Sequence, residues 1–133
     1  MPRPPATDFL VSPAWLIGGL RNVPGFLGAG QGRLTFLADA PVFDVPLTDV
    51  TDVNWPWHWF GGGVKLTAGG QRYKITFVRP NGMPAPDPSL LATGVGVFAL
   101  LDGTWTDIHA LRGLADIGTG RAAGARWKQV LGG

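Results

Sequence analysis

The alternation of hydrophobic and polar positions is clearest in two short runs, 64–68 and 71–78, which flank a Gly69-Gly70 pair. A two-residue glycine connection between alternating runs predicts a β-hairpin. The turn sets a register in which these residues face each other: Ala68 and Gln71, Leu66 and Tyr73, Val64 and Ile75. One face is then predicted to be buried: Val64, Leu66, Tyr73, Ile75 and Phe77. The other face is predicted to meet water: Lys65, Thr67, Arg72, Lys74 and Thr76.

Shorter apolar runs separated by turn residues predict further strands before this hairpin. After a loose lead-in over residues 1–12, strands are expected at 14–20, 25–29, 33–37 and 42–45, and then from residue 49 into the aromatic segment 55–60. A glycine-containing turn, 30–32, joins the second and third. In the 33–37 strand, Leu34 and Phe36 share one face while Arg33 and Thr35 share the other, which is the period of a half-buried strand.

The character of the sequence changes after Pro80. Residues 81–89 contain three prolines and are expected to form a linker or a long loop. The apolar run 90–101 contains two glycines and fits either a strand or a short buried helix. From about residue 113, small and apolar residues recur at spacings of three and four, which predicts a helix with this stripe: Ile117, Gly120, Gly124, Trp127 and Leu131. Asp116 near its start, and Arg126 and Lys128 near its end, suit the helix dipole.

Length and composition favour a single mainly β domain over residues 1–133. Hydrophobic residues make up 45% of the chain and charged residues 15%, which excludes disorder by composition. The 21 glycines and 12 prolines favour many short strands with tight turns over a helical bundle. We expect about seven strands within 12–80, a linker and apolar segment over 81–112, and a C-terminal helix over 113–131.

Several motifs in the first 80 residues occur in an order that is known from one superfold. They are Gly25-Phe26-Leu27, then Gly32-Arg33-Leu34-Thr35-Phe36, then Phe43-Asp44-Val45-Pro46-Leu47 with Asp49-Val50-Thr51-Asp52-Val53, and finally the glycine hairpin that closes on Tyr73 to Phe77. This progression resembles the pleckstrin-homology (PH)-like superfold, and in particular its GRAM-type branch. The resemblance covers a little under half of the chain. It implies a strongly bent antiparallel barrel or sandwich, plugged at one open end by the C-terminal helix with Trp127 as the plug residue.

The chain departs from that superfold at two places. The final helix of the superfold closely follows the last strand, whereas residues 81–101 intervene here. Members that bind phosphoinositides carry several basic residues in the first hairpin loop, whereas this region offers only Arg21. The resemblance therefore implies the fold more directly than it implies phosphoinositide binding.

Composition narrows the class of function and the compartment. Cysteine is absent, which excludes disulfides and thiolate chemistry, and a net charge of +2 lacks the basic stripe expected of a nucleic-acid-binding protein. All nine acidic residues are Asp, and the Ala-, Gly-, Pro- and Arg-rich usage is typical of a GC-rich, actinobacterial-looking genome. Residues 1–8 lack an apolar signal-peptide core, and the longest apolar run is well short of the roughly 20 residues that span a bilayer. We expect a cytoplasmic protein, with peripheral membrane association as an option.

No catalytic, metal or cofactor constellation is evident in the sequence. The two histidines, His58 and His109, are isolated from each other and from a nucleophile. Residues 118–123 match the dinucleotide pattern G-x-G-x-x-A, but no acidic residue follows. Small residues that let a helix lie close to a sheet explain this stretch better. We therefore expect a protein that is not an enzyme and that uses no cofactor.

An alternating aromatic segment supplies the first candidate binding residues. Trp55, Trp57 and Trp59 share one face if the segment is extended, and Pro56 confines it to an edge strand or a bulge. Such tryptophans can form core or cover the mouth of the barrel. They can also form an aromatic patch for a protein partner or a membrane interface.

The water-facing side of the hairpin supplies the second candidate surface. The register places Lys65 opposite Lys74, with Arg72 nearby. These cations form either a solvated face or a site for an anionic partner. The leading hypothesis is a non-enzymatic binding module that engages a protein partner or an anionic membrane surface through these six residues. The alternative is a structural subunit or homo-oligomer that buries the Trp55–Trp59 edge.

Overall fold

The computed structural model describes residues 10–18, 22–59, 61–80, 82–87, 89–90, 96–100 and 117–132. Its seven strands are β1 (Leu10–Ile17), β2 (Val23–Gly30), β3 (Arg33–Leu37), β4 (Pro41–Pro46), β5 (Thr51–Asn54), β6 (Gly63–Ala68) and β7 (Gln71–Thr76). They form one antiparallel sheet in the order β4-β3-β2-β1-β7-β6-β5. The mainly β prediction is confirmed. Within the described residues the sheet is not closed, because its end strands β4 and β5 do not pair.

The first strand begins earlier than expected. Leu10 and Val11 pair with Ala29 and Gly28, so the predicted loose lead-in is wrong from residue 10 onward. Residues 1–9, 19 and 20 lie outside the described part of the chain. The predicted strands at 25–29 and 33–37 are confirmed within β2 and β3, and Gln31 at their connection adopts a positive φ of 50°.

The glycine hairpin forms in the predicted register. β6 and β7 pair Ala68 with Gln71, and the ladder continues through Leu66–Tyr73 and Val64–Ile75. Gly69 and Gly70 have φ angles of 58° and 82°, as a two-residue turn matched to the strand twist requires. The predicted inward residues are buried except for Tyr73, which is half-buried. Local turn chemistry was therefore sufficient to define this part of the sheet.

The inner face of the sheet and the C-terminal helix α2 (Ile117–Leu131) enclose the main core. Trp127 is fully buried there, and its ring lies nearly parallel to that of Phe77 with centroids 5.9 Å apart. Its indole Nε1 donates a hydrogen bond of 2.9 Å to the buried Ser12 hydroxyl. The prediction that Trp127 packs against the sheet is confirmed. Gly132, with a φ of 76°, ends the helix by donating to the Lys128 carbonyl at 2.8 Å.

A glycine lets α2 approach the sheet closely. A Cβ at Gly124 would lie only 1.6 Å from the Gly61 carbonyl oxygen, so only glycine fits at this contact. Gly124 directly follows the small residues 118–123 that are interpreted above as a packing device, and of those residues the half-buried Ala123 packs against the main core. The side-chain surroundings of residues 117–122, together with Asp116 and His109, lie outside what the structure describes.

The outer face of β1–β3 is buried as well. Four residues on this face are almost inaccessible and lie outside the main core: Val11, Trp15, Phe26 and Leu37. Part of their cover is the short helix α1 (Val97–Leu100), in which Val97 and Phe98 are buried. Gly28 leaves room for this helix, since a Cβ there would lie 3.0 Å from the Phe98 ring. Of the two conformations considered for residues 90–101, helix is found at 97–100, whereas 91–95 and 101 are not described.

The proline-rich segment after β7 also packs on this outer face. Trp15 Nε1 donates a hydrogen bond of 2.9 Å to the Pro84 carbonyl, and Pro86 is buried. Ser89 N donates to Asp87 Oδ1 at 2.9 Å, and hydrogen bonds from the Ser89 backbone and then its side chain hold the pKa of Asp87 below its usual range. The predicted long loop is thus part of a second layer over β1.

Thr35 is the clearest correction to the predicted strand faces. It was expected on the water-facing side of β3, yet it is fully buried beneath α1. Its hydroxyl donates to Asp44 Oδ1 at 3.0 Å and accepts from Val97 N at 3.0 Å. Arg33, on the same face, forms a 3.1 Å ion pair with Asp44. Alternation identifies which residues share a face, but it does not reveal that a distant segment covers that face.

Candidate functional site

The segment 55–59, here called the tryptophan loop, is not an extended strand. β5 ends at Asn54, and Trp57–Trp59 form a short 3-10 helix in which Trp59 N donates to the Pro56 carbonyl at 3.0 Å. The prediction that the three tryptophans share one face is therefore wrong. Pro56 cannot donate to a strand ladder, and the chain turns immediately after it. The prediction that this segment is itself an edge strand or a bulge is also wrong, although the segment directly follows β5, which is an end strand of the sheet.

Trp55 fastens the tryptophan loop to the helix end. Its indole Nε1 donates a hydrogen bond of 2.6 Å to the Gly132 carbonyl, just beyond the last turn of α2. The half-buried ring also packs against the main core. This contact joins residues 77 positions apart in sequence. Trp55 is therefore primarily a structural residue.

Trp59 fastens the other end of the loop. Its ring lies over Gly63 so closely that a Cβ there would fall 2.4 Å from a ring carbon. Lys65 Nζ lies 5.8 Å from the ring centroid, within the range of a cation–π interaction, and the Trp59 carbonyl accepts from Gly62 N at 2.8 Å. Both flanking tryptophans thus hold the loop against the rest of the protein.

Trp57 has a different role from its two neighbours. Its side chain is 83% exposed, the highest value among the large hydrophobic residues of the described chain. Its ring meets the exposed His58 imidazole edge-on at 5.7 Å, and His58 meets Trp59 at 5.9 Å. A tryptophan can bury about 150–250 Å². In this fold most of the Trp57 surface stays exposed to solvent and is available to a partner.

A concave surface, here called the tryptophan notch, lies beside Trp57. It has a volume of about 390 Å³. One wall comes from residues 55–61 and the other from α2, and the lining residues are Trp55, Pro56, Trp57, Gly61, Gly124, Ala125 and Lys128. Ala125 and Lys128 were not among the predicted binding residues. The sequence predicts Gly124 only as part of the apolar stripe of the helix, and nothing local to the loop indicates that α2 forms the opposite wall of the notch.

The edge strand beside the loop is irregular. Asp52 has a positive φ of 54°, and the β5–β6 register shifts between Thr51 and Asn54. A short, bulged edge offers a poor template for an added strand. Backbone pairing at β5 is therefore a weaker mode of recognition than side-chain contact at Trp57.

The cations of the hairpin are placed as predicted but are not equivalent. Lys65 and Lys74 face each other directly across β6 and β7. Arg72 donates to the Asp52 carbonyl and, at 3.5 Å, to the Thr67 hydroxyl, while that hydroxyl also lies 3.4 Å from Asp52 Oδ2. Lys74 is exposed, and Lys65 lies over Trp59. The face combines two lysines with an arginine that is already hydrogen-bonded and a nearby carboxylate.

Neither a group of metal ligands nor a membrane-spanning helix is found among the described residues. No three His, Asp or Glu side chains come together there as metal ligands would. No described helix is both long and apolar enough to cross a membrane. Neither a protein-family model nor a curated protein sequence matches the chain.

Proposed function

We propose that this protein is a non-catalytic binding module of the PH-like, GRAM-type kind, and that it engages a protein partner through Trp57. One observation carries the proposal: Trp57 is 83% exposed on a loop that is fastened at both ends. The sequence indicates six binding residues, three tryptophans and three hairpin cations, and the proposal keeps one of them as the direct contact. Trp57 is the contact residue, and Trp55 and Trp59 position it.

Because the tryptophan loop is held at both ends, Trp57 can bind a partner with higher affinity than a tryptophan on a flexible loop. Tryptophan is enriched among residues that dominate binding energy at protein interfaces. A side chain displayed on a preorganised segment loses less conformational freedom on binding than one on a flexible loop. The Trp55–Gly132 hydrogen bond and the packing of Trp59 on Gly63 supply that preorganisation.

A protein partner is favoured over an anionic membrane because one of the three hairpin cations is already hydrogen-bonded within the protein. Stable anchoring at a bilayer generally takes two signals, such as an inserted group together with a polybasic patch. Here the Arg72 guanidinium already donates to Asp52 and Thr67, and the Asp52 carboxylate lies beside the same face. Only Lys65 and Lys74 then remain to contact anionic lipids, and two lysines are a smaller patch than the polybasic signal that stable anchoring requires.

The fold supports the PH-like assignment at a coarse level. A seven-stranded antiparallel sheet with a C-terminal helix, whose Trp127 is buried on the inner face, agrees with what the sequence resemblance implies. The second layer over β1–β3, formed in part by segment 82–87 and α1, is an addition to that plan. It includes the described residues 82–87 and 97–100, which lie between β7 and α2 in the sequence.

The proposal is tested by affinity purification from the source cell with the full chain as bait, comparing wild type, W57A and V130A. Val130 is the matched control, because it is the other exposed large hydrophobic in the described chain, at 39%. A specific co-purifying protein should be retained by V130A and lost by W57A, since loss of a central tryptophan commonly costs 2 kcal/mol or more, roughly 30-fold in affinity. The melting temperature of W57A should stay near that of wild type.

Two parallel measurements separate the competing functions. Co-sedimentation with phosphatidylcholine vesicles containing phosphatidylserine should show no binding at 0.1 M salt. Binding that disappears in the triple variant K65E/R72E/K74E would instead assign a membrane role. Light scattering that shows a dimer abolished by W57A would assign self-association. Retention of the same partner by W57A would overturn the proposal.

A further inference from the structure

We infer that the tryptophan notch is a receptor site for a short acidic peptide segment. An apolar side chain of the peptide would fill the notch, and an Asp or Glu a few positions away would pair with Lys128. This inference deepens the proposed function and rests on it. It names the chemistry of the partner and adds two residues of α2, Ala125 and Lys128, to the contact surface.

The size of the notch fits a side chain better than a whole structural element. Its volume of about 390 Å³ is at the small end of the 300–1,000 Å³ typical of ligand pockets. Trp55, Pro56 and Trp57 supply aromatic and aliphatic walls. Gly61 and Gly124 bring two stretches of backbone together with no side chain between them. One aromatic or branched aliphatic residue can therefore enter beside the Trp57 ring.

The charge at the notch selects an anionic partner. Lys128 is exposed and is the one charged residue among those described as lining the notch. The C-terminal end of α2 carries about half a negative charge from its last carbonyls, and one of them, that of Lys128, accepts a hydrogen bond from Gly132 N. A full positive charge on Lys128 outweighs the remainder. Lys65, whose Nζ lies 5.8 Å from the Trp59 ring centroid, is a second cation close to the tryptophan loop but outside the notch lining.

The same charge argues against a second copy of this chain as the occupant. In a two-fold symmetric contact the same patch meets itself. Lys128 of one copy would then approach Lys128 of the other around the paired tryptophans. A net charge of +2 on each chain adds to the repulsion. An acidic segment of a different protein satisfies both the apolar walls and the lysine.

The test uses the full chain and a phage-displayed library of random dodecapeptides as the probe. Selection should enrich peptides with an aromatic or branched aliphatic residue within a few positions of Asp or Glu. One enriched peptide, made synthetically, is then titrated against variants by fluorescence anisotropy. A125F should abolish its binding by filling the notch from an exposed helical position. K128E should weaken its binding at least tenfold.

The control for K128E is R126E, which makes the same charge change at another exposed position of α2, outside the notch lining. R126E should bind within about threefold of wild type. Enrichment of basic or uncharged peptides would overturn the inference, as would equal losses in R126E and K128E. If binding requires Trp57 but tolerates A125F and K128E, the inference fails while the proposed function stands. If the peptides bind W57A undiminished and the natural partner does too, both fail.

Discussion

The two outer faces of the sheet differ in a way that explains much of the molecule. On β1–β3 the outer face is buried under a second layer that includes segment 82–87 and α1, with Trp15 hydrogen-bonded to Pro84. On β6 and β7 the outer face is open and carries Lys65, Arg72 and Lys74. The two halves share one inner core. They differ in whether another segment of the chain covers them.

The sequence records this difference in its periodicity. In the hairpin, polar and apolar residues alternate strictly, as a strand with one solvated face requires. In β1 and β2, by contrast, apolar residues are consecutive, as in Ala14-Trp15-Leu16 and Phe26-Leu27. Consecutive apolar residues in a strand indicate that both faces are buried. The consecutive apolar residues of β1 and β2 therefore indicate that their outer face is covered, but they do not identify the covering segment, and the alternation in β3 gives no sign of it.

The largest expected effect belongs to the core that both halves share. Trp127→Ala removes the parallel contact with Phe77 and leaves the buried Ser12 hydroxyl without its donor. Replacement of a buried tryptophan by alanine typically costs about 3–5 kcal/mol, which is a large part of the stability of a small domain. Chemical denaturation should show this loss as a lower midpoint.

Trp127→Phe is the control for that variant, because it keeps most of the ring and removes only the indole hydrogen bond to Ser12. Its cost should be clearly smaller than that of alanine. If Trp127→Ala has a midpoint indistinguishable from that of wild type, α2 is not required to complete the core.

An intermediate effect is expected where the second layer meets the sheet. Thr35→Val keeps the shape of the side chain but removes the hydroxyl that accepts from Val97 N and donates to Asp44. A buried backbone N–H left without a partner costs about 1–3 kcal/mol. The free energy of unfolding should fall by that amount, whereas Thr35→Ser should retain much of the hydrogen bonding. Equal stability of the valine variant and wild type would show that α1 is not held through Thr35.

The candidate site was less predictable than the fold, for a physical reason. The hairpin register depends on residues within a few positions of one another, and local sequence captures that. The conformation of the tryptophan loop depends on Trp55 reaching Gly132 and on Trp59 reaching Gly63. Lys128 joins the notch only because Gly124 brings α2 against Gly61. The tryptophans could be identified as candidates from sequence, but which of them is exposed could not.

The smallest expected effect concerns the open face itself. Lys65 and Lys74 are directly opposite each other, and like charges at such positions are destabilising by roughly 0.2–1 kcal/mol. Lys74→Glu replaces that repulsion with an attraction, so the variant should be more stable than wild type by an amount in this range. Raising the salt concentration from 0.1 M to 1 M should shrink the gain, because the Debye length falls from about 10 Å to about 3 Å. A double-mutant cycle with Lys65→Gln isolates the pair, and the gain should largely vanish in that background. A stability gain that persists in that background would mean that Lys74 is unfavourable for a reason other than its repulsion from Lys65. The outer face of the hairpin would then contain an interaction of Lys74 that the strict alternation does not predict.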